Sequence, residues 1–436
     1  MTVPTYSGFF TFGDSLVDAG NALELAELYG DLTFSDLPDG APSEQRGYFR
    51  GRFSDGYVFT DLLSNKLIGL VTKPVFPFGY DDPFLGVPIS PFAGDPQGNN
   101  LNFAYGGSQI RQGDEVVPDL DGQTDAFRNA VDGNADPNAL YSVTVGGNDI
   151  RSLVTTSGTF VGQAEAYASL RISADKMLRE LTQLMDDGAR NFLITGIADV
   201  GLVARYDVDG DNFLGPDRDL NGDGILDPGE ATRSATATDY SQYLDMLVRT
   251  IVVQGLEARG ATVTYVPLMD YVDEQTGASV TGALNPNLET IALLNNVLPD
   301  DPGETPGQQL LQNLLLYDRL LFVDGLHPTA QAHALVASFM NAQLQGTAWV
   351  ETMPLLGAGV DYQLYGAIAA VGEVDKVIVA TAVNSSYTVQ MLGVSSLTPF
   401  VLDQYFGLTN VAPGSILADP RPVSYTHLTL PTICSV

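Results

Sequence analysis

The sequence predicts an α/β fold: a three-layer α/β/α sandwich built on a five-stranded, mainly parallel sheet. Three observations predict it. Short apolar runs recur along the chain, longer amphipathic segments lie between them, and the lone cysteine, Cys434, allows no internal disulfide. The fold must therefore rest on packing, and 436 residues of which 44% are hydrophobic suffice for a large core.

The five candidate strands are Phe9 to Phe12, Leu101 to Ala104, Tyr141 to Val145, Phe192 to Thr195 and Thr262 to Val266. Between the later ones, "YASLRISADKMLRELTQLMDDGAR" and "DYSQYLDMLVRTIVVQGLEARG" carry apolar residues at helical spacing and end near glycine, as helix C-termini do. Alternation of this kind places helices on both faces of a parallel sheet. A last helix, from about Thr329 to Leu344, sets Ala332, Leu335, Val336, Phe339 and Met340 on one stripe and should close the domain. His333 lies off that stripe, which predicts a solvated side chain.

Polar stretches rich in Gly and Pro interrupt the scheme at Asp31 to Asp55, Val75 to Asn100 and Gly277 to Gly307. Loops of this length in a compact domain are usually functional, so they are expected to rim a pocket. The main folded unit is expected to span residues 7–346, with an acidic insert at 207–230. Residues 347–422 form an extension in which "KVIVATAVNSSYTVQML" reads as strands. The stretch "VSYTHLTLPTICSV" within 423–436 has no acidic residue in an otherwise acidic protein and reads as a non-native tail, so His427 and Cys434 carry no functional weight.

Charge excludes some partners. Fifty-three acidic against 20 basic residues give a net charge of −33, the wrong sign for nucleic acid or an anionic membrane surface. A salt-adapted surface and acidic calcium loops both fit that excess. No run of about 18 apolar residues spans a bilayer, so no transmembrane segment is expected. The start "MTVPTYSGFF" lacks the basic and apolar regions of a signal peptide. Acidity, the calcium pattern and the near absence of cysteine favour an extracellular or periplasmic location, and nothing in the chain specifies an oligomeric state.

The candidate chemistry sits at strand ends. In "FTFGDSLVDAGN", Gly13 breaks the first strand and leaves Ser15 in the following turn, as a turn former or a nucleophile. A nucleophilic serine needs a base, and the chain has three histidines. His327, in "FVDGLHPTAQAH", follows Asp324 by three residues, so one turn can set a carboxylate against the imidazole. Acyl transfer also needs donors for an oxyanion. "NFAYGGSQ" offers the N–H of Gly107 without a side chain in the way, and "VTVGGNDI" offers the amide of Asn148. In a parallel sheet these strand ends converge on the edge where ligands bind.

Together, "FTFGDSLVDAGN", "NFAYGG", "GGND" and "DGLHP" resemble the four signature blocks of the GDSL, or SGNH, lipase and esterase family, over about Gly8 to Gly346. The first block, with Asp18, Gly20 and Asn21, is most similar to the branch that includes plant GDSL lipases and bacterial esterase passengers. The resemblance implies a flavodoxin-like α/β/α domain with Ser15 as nucleophile, His327 as general base and Asp324 as its orienting carboxylate. It also implies an oxyanion hole made of the Ser15 N–H, the Gly107 N–H and the Asn148 side chain, with Gly107 rather than Gly106 matched by position.

A separate motif lies in "DVDGDNFLGPDRDLNGDGILDPGE". Asp219, Asn221, Asp223, Gly224, Asp227 and Glu230 fit the calcium-loop pattern D-x-[DN]-x-[DN]-G-x5-E, with Ile225 lending its carbonyl. The segment before it begins a similar loop at Asp207, but Arg218 stands where the closing glutamate belongs. Such a calcium ion would be structural, since serine acyl transfer needs no cofactor; a solvated acidic loop is the plainer alternative. The sequence as a whole reads as a serine carboxylester hydrolase acting on a small-molecule or lipid ester. A phospholipase, an acyltransferase or a polysaccharide deacetylase would use the same residues. A calcium-stabilised surface binding module with a vestigial site is the non-enzymatic alternative.

Overall fold

A computed structural model describes residues 5–33, 41–78, 98–111, 117–154, 162–203, 228–273, 276–280, 282–283, 322–324 and 326–346. The chain divides into two compact units, Met1–Ala380 and Thr381–Val436, and every described residue belongs to the first. The acidic positions Asp219, Asn221, Asp223, Ile225 and Asp227, the extension 347–422 and the tail 423–436 lie outside the described residues.

The elements follow one another as β1 (Phe9–Gly13), α1 (Asn21–Thr33), α2 (Phe59–Ile68), β2 (Lys73–Pro74), β3 (Leu101–Asn102), α3 (Leu120–Ala130), β4 (Leu140–Thr144), α4 (Gly147–Leu153) and α5 (Gln163–Asp186). Then come β5 (Asn191–Thr195), α6 (Pro228–Leu247), a π-helical stretch at Val248–Val253, α7 (Gln254–Glu257) and β6 (Thr262–Val266). A short hairpin of β7 (Tyr271–Val272) and β8 (Ser279–Val280) precedes the last described helix, α8 (Ala330–Gln345).

The main sheet has six strands, in the order β2-β3-β1-β4-β5-β6, and every pairing in it is parallel. The five expected strands are all present. The expectation of five is corrected by β2, a two-residue strand at the edge. Two residues carry no hydrophobic period, and Pro74, with no N–H to donate, is tolerated there because an edge strand needs partners on one side only. The second expected helix is also longer than its sequence pattern, since it starts at Pro228 inside the acidic insert.

Strand alternation divides the core in two. Phe10 and Phe12 of β1, Tyr141 and Val143 of β4, and Phe192 and Ile194 of β5 face one side, against Phe127, Leu170, Met177, Leu181 and Leu244 of the helices. Phe9, Leu140 and Leu193 face the other side, with Leu62 and Leu63 of α2 and Val336, Phe339 and Met340 of α8. Helices therefore cover both faces, which gives the three-layer α/β/α sandwich.

One expectation about α8 fails. His333 is 1% exposed, because α8 packs on α2 as well as on the sheet and so buries more than one stripe. Its Nδ1 accepts the Phe59 N–H at 3.3 Å, and its ring lies 5.6 Å from that of Phe59. Burial first, and then the charge of His327, pushes its pKa down to about 3, so the ring is neutral.

Candidate active site

β1 lies between β3 and β4, with β5 and β6 continuing beyond β4 and β2 lying beyond β3. That is the switch point of the sheet, where the carboxyl ends of neighbouring strands leave a crevice. Three adjacent strands thus deliver the three predicted segments: β3 leads to Gly107, β1 to Ser15 and β4 to Asn148.

Backbone geometry explains why the first of these reads Gly-Asp-Ser. Gly13 has φ of 155°, and a Cβ there would sit 2.1 Å from the carbonyl oxygen of Thr144, so only glycine lets β1 and β4 close up at this end. The Asp14 N–H then donates to that same Thr144 oxygen at 3.1 Å. The Asp14 carbonyl accepts from Val17 and Asp18, which turns the chain and raises Ser15 out of the strand. The Asp14 carboxyl is buried, and burial pushes its pKa up to about 7.

The histidine comes from the other end of the domain. Phe322 and Pro328 form an antiparallel bridge, and the Val323 N–H donates to the His327 carbonyl at 2.8 Å. In that tight turn, Asp324 Oδ1 accepts the N–H groups of Leu326 (2.6 Å) and His327 (2.8 Å). Its other oxygen, Oδ2, lies 2.6 Å from His327 Nδ1, and His327 Nε2 lies 2.9 Å from Ser15 Oγ. An ionised carboxylate only accepts, so Nδ1 carries the proton and Nε2 is left to accept from the serine hydroxyl. Burial alone would raise the Asp324 pKa, but the charge of His327 and hydrogen bonds from His327, Tyr48 and Leu326 hold it well below the usual carboxylate range. The structure thus lines up Ser15, His327 and Asp324, the arrangement that lets a serine be deprotonated by a correctly oriented base.

The donors flanking Ser15 are placed by residues to which the sequence reading assigned no role at the site. Asp18 accepts from the N–H groups of Gly20 (2.8 Å), Asn21 (2.8 Å) and Ala22 (3.1 Å), capping α1, and from Gly106 at 2.9 Å. The Gly106 amide is therefore occupied. Among the described residues, no acceptor faces the N–H of Gly107, which has φ of 93°, or that of Ser15. Asn148 donates from Nδ2 to the Ser108 carbonyl at 3.0 Å, while its Oδ1 accepts from Arg151 Nη1 at 3.0 Å. With the oxygen held by Arg151, the second Nδ2 hydrogen remains available as a donor.

Further ties set these segments against each other. Gln123 accepts the Gly13 N–H and donates to the Gly13 carbonyl, both at 2.8 Å, and also donates to Ser108 Oγ at 3.0 Å. Asp149 accepts the Ile110 N–H at 2.8 Å and the Ser173 hydroxyl at 2.7 Å, which joins the Gly107 turn to α4 and α5. Asn21 uses both ends of its amide, donating to the carbonyls of Asn102 and Ala104 and accepting from Val75 and Phe76. Signals for Asp18 and Asn21 were present in the first block; none in the sequence pointed to Gln123, because its partners are 110 and 15 residues away.

Residues 9–340, most of the chain, match the profile of the GDSL-like lipase/acylhydrolase family. The chain belongs to that family. Three GDSL esterase/lipases of Arabidopsis thaliana are among its similar relatives. One is 24% identical over 75% of this chain and 84% of its own length. The other two are 29% and 31% identical over 44% and 45% of this chain, which spans about half of each, 54% and 57%. Membership of the GDSL-like family makes the protein a carboxylester hydrolase by class, and the site described above lies within the matched residues. No helix among the described residues is long and apolar enough to cross a membrane.

Proposed function

We propose that this GDSL-family protein cleaves small-molecule or lipid esters through an acyl-enzyme on Ser15. The observation that carries the reading is the 2.9 Å contact between Ser15 Oγ and His327 Nε2, with Nδ1 fixed on Asp324. His327 takes the serine proton as Oγ attacks the ester carbonyl, and the oxyanion is received by the Ser15 N–H, the Gly107 N–H and the Asn148 amide. Imidazolium His327, stabilised by Asp324, then gives its proton to the leaving alkoxide. Water repeats the sequence on the acyl-enzyme, releasing the acid and restoring the Ser15 hydroxyl. Every step uses groups of this chain, so the reading needs no cofactor for catalysis.

The test is hydrolysis of p-nitrophenyl acetate, butyrate and palmitate by the wild type and Ser15→Ala, with a fluorophosphonate probe and peptide mass mapping. Loss of turnover in Ser15→Ala, with a single adduct on Ser15 in the wild type, is the expected result. Retained hydrolysis in the variant, or an adduct elsewhere, would overturn the assignment. The chain-length profile separates esterase from lipase behaviour, and an added alcohol acceptor reveals acyl transfer.

The acidic insert is assigned in the same reading to a structural calcium ion held by Asp219, Asn221, Asp223, the Ile225 carbonyl, Asp227 and Glu230. One feature of the fold fits: α6 opens at Pro228, so Glu230 falls in the first turn of the helix that leaves the loop. The calcium-loop pattern places its bidentate glutamate at the twelfth position, which counted from Asp219 is Glu230. An extracellular or periplasmic location accords with such a site and with the acidic surface.

A further inference from the structure

The stretch Tyr48–Asp55, part of a loop that the sequence places at the pocket rim, holds the segment carrying the histidine at several points. The Phe53 ring lies 4.9 Å from the His327 ring, inclined by 36°. The same ring occupies the space of a Cβ at Gly106, 2.3 Å away, so it is wedged between the histidine and the glycine turn. Ser54 Oγ donates to the Pro328 carbonyl at 3.0 Å, and Asp55 accepts the Ala330 N–H at 2.6 Å, at the start of α8. At the front of this contact, the Tyr48 hydroxyl donates to Asp324 Oδ2 at 2.5 Å.

That last bond completes the carboxylate. Asp324 Oδ1 takes two backbone N–H groups, and Oδ2 takes the His327 Nδ1–H and the Tyr48 O–H, so four donors meet about four lone-pair directions. Three of those donors belong to Asp324's own turn. Tyr48, 276 residues away in the chain, is the donor that ties it to the rest of the domain. It shares the oxygen that orients the imidazole, so it acts on both the position and the basicity of that oxygen.

We propose that Tyr48 is a positioning residue of the reaction, a fourth member of the Ser15–His327–Asp324 line that sets the angle and proton affinity of Asp324 towards His327. The proposal rests on the acyl-enzyme reading of Ser15. Removing the hydroxyl makes Asp324 a stronger partner for the imidazolium, so His327 holds its proton to higher pH. It also frees the carboxylate to rotate, which lowers the fraction of imidazole aimed at Ser15.

The experiment compares wild type and Tyr48→Phe on p-nitrophenyl butyrate from pH 5 to 9, with Ser15→Ala in parallel. The expected result is kcat lowered roughly tenfold with KM little changed, because a smaller fraction of the imidazole is aimed at Ser15 while substrate binding is untouched. The acid limb of kcat/KM, which reports the free enzyme's base, should move up by roughly half a pH unit. A second variant keeps the ring in place: site-specific 3-fluorotyrosine at position 48 is a stronger donor and should move the limb down. A lowered kcat with an unmoved acid limb in both would mean a merely structural contact and overturn the proposal, as would wild-type kinetics. If Tyr48→Phe does not fold, the direction of the fluorotyrosine shift alone decides. Activity surviving in Ser15→Ala would instead refute the acyl-enzyme reading. The downfield proton signal of His327 Nδ1, followed in the Ser15→Ala background with and without fluorotyrosine, still reports whether Tyr48 acts on that bond.

Discussion

Burial of His333 makes a quantitative prediction about acid stability. The ring is neutral in the fold, with a pKa pushed down to about 3, whereas in the unfolded chain it titrates near 6.5. The folded pKa is the lower one, so the unfolded state binds the extra proton as pH falls through 6.5. This group therefore removes stability below that point, and its effect levels off only near pH 3. Each unit of separation is worth about 1.4 kcal/mol, so between pH 7 and pH 5 His333 should cost the fold about 2 kcal/mol. His333→Asn keeps an acceptor where Nδ1 takes the Phe59 N–H but has no titrating group. Urea unfolding of both proteins at pH 7, 6 and 5 is the assay. The variant is expected to be less stable at pH 7, because a smaller side chain leaves a cavity beside α2. Its loss of stability on going to pH 5 should be smaller than that of the wild type by about 2 kcal/mol. Buried Asp14, Asp18 and Asp55, raised to about 7, 6 and 6, act in the opposite direction over this range, but they are common to both proteins and cancel in the comparison. Parallel pH curves for wild type and variant would refute the reasoning, since they would mean that His333 titrates normally in the fold.

Two further outcomes are expected. Asn148→Ala should lower kcat by roughly 10² to 10³ with little change in KM, if the free Nδ2 hydrogen meets the oxyanion; steady-state kinetics on p-nitrophenyl butyrate checks this, and an unchanged kcat excludes the role. For the acidic insert, calcium at about a hundred times its Kd should stabilise the wild type by about 2.7 kcal/mol, seen as a rise in Tm that chelator reverses. Glu230→Gln should lose most of that rise, and a chelator-insensitive Tm in the wild type would remove the calcium assignment.

The catalytic candidates were legible because the information that defines them is local. A glycine that ends an apolar run places Ser15 in a turn, and Asp324 and His327 lie three residues apart, close enough for one turn to join them. Five of six strands were likewise legible from stretches of four or five mostly apolar or β-branched residues. Lys73–Pro74 was not, because pairing with β3 alone makes that pair of residues a strand. Which of two adjacent glycines offers its N–H is undecidable from "YGGS"; the carboxylate of Asp18, 88 residues before Gly106, takes one amide and leaves the other. His333 has the spacing of a solvent-facing residue on α8, and only the packing of α2 across that face makes it a buried neutral ring.

What the sequence by itself determined, then, is the chain order of strands and helices and the candidacy of Ser15, His327 and Asp324, since short-range periodicity and turn chemistry mark each of them. The tertiary structure decided which amides remain free, which side chain completes Asp324 and which histidine is shut away from water. Each of those depends on a donor, an acceptor or a covering surface supplied from tens to hundreds of residues away, and spacing along a chain carries no record of it.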